Sequence, residues 1–185
     1  MSSSNFDAFF KPDRVVIVGV WDAENHRTNL ITIGLITYMG IGNGQVITFP
    51  VHPARHSHHL FQNERYFVVN LLNAEQYEIA HICGTVSGKA QNKFELAKIT
   101  PVKILGIDVN LHAIKECPYF MVAERTELKN ICGCSHDIVV GKPIGYYETG
   151  ATATKPLWHV SKSDHFQFLK PYGGKGYEGG YGCAR

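Results

Sequence analysis

Apolar residues in this chain come in runs of strand length, and that spacing is its tightest constraint. Residues 14–20 form a β-branched run. In 29–39 the residues Ile31, Ile33, Leu35, Thr37 and Met39 share one face and Leu30, Thr32, Gly34, Ile36 and Tyr38 the other, so both faces read as covered. Further strands are read over 45–51, 66–72, 102–107, 117–128 and 137–148. Helical patterns are short: 58–64, 75–82 ending at Cys83-Gly84, and one that stops near Thr100-Pro101. Many strands with a few short helices at the connections predict a mainly β, barrel-like domain rather than alternating β and α.

The chain has 185 residues, of which 44% are hydrophobic and 18% charged, enough for one domain with a substantial core. Residues 1–172 are read as that domain and 173–185 as a glycine-rich tail, too poor in apolar groups to fold alone and therefore mobile or laid across a partner. A formal charge of +2 gives neither the electrostatic footprint of a nucleic-acid binder nor a polybasic membrane anchor. The first residues carry no secretory pattern, and no apolar run is long enough to span a bilayer. Five cysteines, an odd number, fit reduced thiols better than a disulfide framework. The expectation is a cytoplasmic protein.

The stretch from Pro50 to Asn70 reads as strand end, turn, short helix and strand. Ser57 is placed to cap the helix, whose first N–H groups offer partial positive charge to an anion. Arg55 adds a planar fork of donors suited to phosphate. The same residues also fit an ordinary capped surface helix with one solvated arginine. The glycines at 40, 42 and 44 are not a dinucleotide loop, because the pattern is wrong and a strand follows; Asn43-Gly44 reads as a hairpin turn. Gly34 marks a bulge or a close approach. His52, His56, His58 and His59 with Cys132 and Cys134 lack metal-ligand spacing, so no metal site is read. Cys132 and Cys134 are read as packing on one face of a strand rather than as redox groups.

Several separated segments together resemble the flavin reductase family of FMN-binding split barrels, which includes flavoredoxins. They are Asn29 with Thr32, Arg55-x-Ser57, Tyr66 to Asn70, Cys83-Gly84-x-x-Ser87-Gly88, Asn92-Lys93-Phe94, Lys115-Glu116-Cys117 and His136. Their order and spacing agree over about residues 14–148. Departures are Gly44-Gln45 where relatives often carry a proline pair, Cys134-Ser135-His136 where Gly-Asp-His is common, and Leu35 where some carry tryptophan.

The resemblance implies a six-stranded antiparallel Greek-key barrel working as a homodimer, with FMN near the subunit interface and NAD(P)H as electron donor. It implies a flavin ring along Asn29 to Leu35, with Asn29 and Thr32 near its edge, and a phosphate at Arg55, Ser57, Ser87 and Lys93. Phe166 or Trp158 would cover the ring, and His136 would be a neighbour of nicotinamide or flavin. The activity implied is hydride transfer from NAD(P)H to FMN and on to a small-molecule or protein acceptor. The alternative is a flavoredoxin-type electron carrier with tightly bound FMN and a protein redox partner.

Overall fold

A computed structural model describes residues 13–40, 44–153, 157–162, 165–170 and 180–183, with side chains over 14–40, 44–153 and at 157. Asn43 and the tail residues 173–179, 184 and 185 lie outside these.

The strands are β1 (Asp13–Arg14), β2 (Val16–Asp22), β3 (Arg27–Ile33), β4 (Thr37–Met39), β5 (Val46–Val51), β6 (Tyr66–Leu71), β7 (Pro101–Lys103), β8 (His112–Ile114), β9 (Tyr119–Asn130), β10 (Asp137–Glu148), β11 (Trp158–Lys162), β12 (His165–Lys170) and β13 (Gly180–Cys183). Helices α1 (His56–Asn63), α2 (Tyr77–Thr85) and α3 (Lys93–Leu96) fill the connections. A sheet of seven strands in the order β3-β2-β6-β9-β10-β5-β4 carries the domain, and every pairing in it is antiparallel. Its inward residues from β2, β3, β5, β6, β9 and β10 meet in one core, the interior of a split barrel.

Alternation in β2 explains how one strand serves two layers. Val16, Val18 and Val20 point into the barrel, while Ile17, with Val15 just before the strand, packs against α2, α3 and Leu157. Helix α1 closes the barrel core with Leu60 and Phe61. Phe61 meets Phe49 and Phe67 edge-on, with ring centroids 5.5 and 6.0 Å apart. Each such fully buried ring contributes roughly 2–3 kcal/mol by burial alone.

Several expectations change here. The 29–39 run is not one strand: it breaks at Gly34 into β3 and β4, and Leu35, Tyr38 and Met39 are exposed rather than covered. That break gives a seven-stranded sheet where six strands were expected. Gly84 does not cap α2 but lies inside it, facing β3, where a Cβ would stand 3.3 Å from the Cβ of Thr32. Cys132 and Cys134 do not pack on a strand. β9 stops at Asn130, whose side-chain amide donates to the carbonyls of Cys134 and His136, and both cysteines sit exposed on the turn into β10. Part of the tail is a strand: Gly180–Cys183 pairs with β12 in a second sheet, ordered β1-β11-β12-β13.

Candidate functional site

Helix α1 begins at His56, with Arg55 in the capping position and no side-chain cap bond, so Ser57 is not the cap expected from sequence. Two long-range contacts displace it. His56 Nε2 stands 2.8 Å from Asp22 Oδ2, and Asn29 Nδ2 donates to Ser57 Oγ at 2.7 Å. These pull the first turn against β2 and β3. At the other side His58 Nε2 meets Asp137 Oδ2 at 2.8 Å, tying α1 to β10. Desolvation acts to raise the Asp22 carboxyl, but bonds from His56 and Asn25 win and hold it below the usual range.

Against this helix comes the loop between α2 and α3. Arg27 Nη2 donates to the Gly88 carbonyl at 2.7 Å, and a Cβ at Gly88 would fall on Asn29 Oδ1. Only glycine lets the loop approach this closely. Asn92 accepts from the Phe94 N–H and starts α3, which carries Lys93 inward. Lys93 is buried, and its ammonium donates to the carbonyls of Leu30 at 2.6 Å and Cys83 at 2.7 Å. Desolvation dominates and lowers its pKa to about 8; Cys83 opposes the shift and Arg55 adds to it. Burial pushes the Cys83 thiol up to about 12.

Arg55, Ser57, Ser87 and Lys93 line one polar cavity of about 150 Å³, with backbone from Gly84 to Gly88 completing the wall. That is room for several waters or one phosphate-sized group. The groups facing it are donors. Lys93 retains one N–H after its two carbonyl bonds. Ser57 accepts from Asn29 and so keeps its own proton to give, and the first-turn N–H groups of His56 and Ser57 have no intrahelical partner. A buried cation beside a set of donors fits an anion.

Asn29 does not line this cavity; it is buried and orients Ser57 from behind, with Oδ1 left without a partner. Thr32 lines an adjoining hollow of about 60 Å³ that shares Arg55, Gly84 and Thr85 with the first, but its hydroxyl donates to the Ala80 carbonyl at 2.5 Å. His136 meets the His52 ring at a centroid distance of 5.0 Å and is absent from the cavity wall. Burial, then His52 and Arg55, hold its pKa below the ordinary histidine value. Phe166 falls in β12, opposite Ser161, but its side chain and that of Trp158 lie outside the described ones. Arg27, Asp22 and Gly88 hold the site together, and local sequence gives no signal for contacts spanning 61 or 34 positions.

A second, larger hollow of about 500 Å³ shares no lining residue with the first and is mainly apolar, walled by Tyr38, Val69, Phe120, Met121, Tyr146 and Tyr147 among others. Among the described residues no group of three or more metal-ligating side chains gathers, and no helix is long and apolar enough to cross a membrane.

The domain is thus a mainly β split barrel with a donor-lined cavity between α1 and the loop after α2. The chain belongs to the flavin reductase like domain family, whose model matches residues 11–166. Its structure is similar to the flavoredoxin from Methanosarcina acetivorans, at 18% identity and a TM-score of 0.70 over 88% of each chain. It is similar also to an FMN-binding protein from Thermus thermophilus with bound p-hydroxybenzaldehyde, at 20% identity and a TM-score of 0.67 over 83% of this chain and 84% of that one. An NADH:FAD oxidoreductase of Streptomyces globisporus C-1027 gives 17% identity and a TM-score of 0.65, covering 80% and 81%. No curated protein matches the sequence.

Proposed function

We propose that this protein is an NAD(P)H-dependent FMN oxidoreductase, passing electrons to a small-molecule or protein acceptor. The observation that carries the reading is the convergence of Arg55, Ser57, Ser87 and Lys93 on one polar cavity. When bound, FMN supplies the hydride and electron chemistry, and the protein supplies binding, orientation and electrostatics. Lys93 and Arg55 balance the charge of the flavin phosphate, Lys93 as a point charge and Arg55 as a fork. Ser57, oriented by Asn29, donates its hydroxyl to the same group. β3 ends the strand order of its sheet, which supports a ring lying along it with main-chain groups meeting its edge. His136 stays a candidate neighbour of the nicotinamide.

The homodimer is part of the same proposal. Leu35, Tyr38, Met39, Tyr119, Tyr146 and Tyr147 are 41–59% exposed, a patch of the kind that marks an interface. Tyr38 and Tyr146 hydroxyls meet there at 2.9 Å. The odd number of cysteines, five, supports a reducing compartment, the cytoplasm.

Flavin titration of Arg55→Ala/Lys93→Ala tests the binding site: FMN should weaken by about 100-fold and riboflavin by less than about 3-fold, because the lost groups face the phosphate. Equal losses for both ligands overturn the assignment. Stopped-flow mixing of FMN-loaded protein with NADH or NADPH then tests the activity. Bleaching of the oxidised flavin band supports the reductase, whereas a band reduced only by a partner protein identifies a flavoredoxin-type carrier.

A further inference from the structure

Cys132 and Cys134 occupy the six-residue connection between β9 and β10, and neither belongs to the cavity described above. Their backbone is curled. Cys134 N donates to the Ile131 carbonyl at 3.2 Å, and the two central residues of that turn, Cys132 and Gly133, take φ of 53° and 69°. Positive φ at both central positions is the pattern of a type I′ turn. In an extended strand a Cys-x-Cys pair is separated by roughly 6.5 to 7 Å, at the outer edge of what a disulfide bridges. The turn brings such a pair closer, and glycine between the cysteines leaves no side chain in the way. Both thiols are exposed, whereas Cys83 and Cys117 are buried, with thiols pushed up by desolvation.

We propose that Cys132 and Cys134 form a redox-active dithiol that closes reversibly to an intrachain disulfide by exchange with a small-molecule disulfide. Cys134 Sγ donates to the His136 carbonyl at 2.8 Å, while Cys132 Sγ makes no hydrogen bond among the described residues. Cys132 is therefore the attacking thiol. Its thiolate attacks one sulfur of the external disulfide, forming a mixed disulfide and releasing one thiolate. The Cys134 thiolate then attacks the Cys132 sulfur, the protein S–S bond forms, and the second external thiolate leaves. Two electrons pass from the protein dithiol to the external disulfide, and the two thiol protons end on the released thiols. The turn is held firmly while this happens, because Asn130 bonds its carbonyls and Asp137, just beyond it, is fixed to His58.

The exchange needs no bound flavin. The full chain carrying Cys183→Ser is equilibrated in buffers of reduced and oxidised glutathione, quenched in acid, unfolded, labelled with a maleimide and mapped by mass spectrometry. As the buffer becomes oxidising, Cys132 and Cys134 should lose label together and the peptide carrying them should lose the mass of two hydrogens. Added dithiothreitol should restore both labels. In the Cys134→Ser variant the reaction should stop at a glutathione adduct on Cys132. Full labelling of both thiols throughout overturns the proposal. So does accumulation in the unaltered pair of the same glutathione adduct that the variant gives.

Discussion

Asn29 Nδ2 donates to Ser57 Oγ at 2.7 Å, and both residues are buried. The bond joins β3 to the first turn of α1 and fixes the direction in which the serine hydroxyl can give its proton. Asn29→Ala should therefore act as a positioning change. FMN affinity should fall by about 10-fold with the serine still present, and Asn29→Ala/Ser57→Ala should cost little more than either change alone. A double-mutant cycle read by flavin titration checks this; additive losses would separate the two residues.

Gly88→Ala is expected to break the site from the other side. Its new methyl would fall on Asn29 Oδ1, so either the loop or the asparagine must move. The expected result is a loss of FMN binding of about 10-fold or more with a fall in Tm, measured by flavin fluorescence and calorimetry. Ala at Gly150, with φ of 84° and open space around it, is a control for backbone strain without that collision.

Lys93 sets a pH dependence with a definite sign. Its pKa is about 8 in the folded chain and near 10.4 unfolded, so between these values the unfolded state binds more protons and this group's contribution to stability rises with pH. The wild-type minus Lys93→Met stability difference should shift by about 3 kcal/mol across that window in the ligand-free protein. Flavin phosphate favours the charged amine, so FMN affinity should fall as pH rises above about 8. Riboflavin affinity should not follow it. Denaturant melts and flavin titrations from pH 7 to 10 read both.

Asp22 works in the opposite range. Its folded pKa lies below the unfolded value near 3.9, so its stabilisation is fully present above that pH and is lost as pH falls through the lower folded value. Tm of the wild type should fall more steeply than that of Asp22→Asn below about pH 4. Parallel curves would show that the contact with His56 contributes nothing to acid stability.

Much of the architecture was legible because the β-branched apolar run over 14–20 and the strand read over 137–148 mark β2 and β10. Arg55 and Ser57 could be named from a local motif, Ser87 and Lys93 from the family resemblance, and all four line one cavity. What was not legible depended on distant partners. Ser57 looks like a cap until Asn29 claims its oxygen, and nothing beside Lys93 in the sequence shows that the carbonyls of Leu30 and Cys83 accept two of its three protons. The 29–39 run hides its break because residues 35–39 keep the alternation while turning outward. Cys132 and Cys134 read as strand residues because alternation cannot locate the bonds of Asn130 that end β9.

The anion cavity is stitched from segments far apart in the chain, with Lys93 bonded to Leu30 and Arg27 to Gly88. During synthesis none of it exists until the ribosome has released residue 93, well after the first strands have emerged. Yellow colour on a nascent chain would thus be a late event, and a clock for when the barrel and its insertions have locked together.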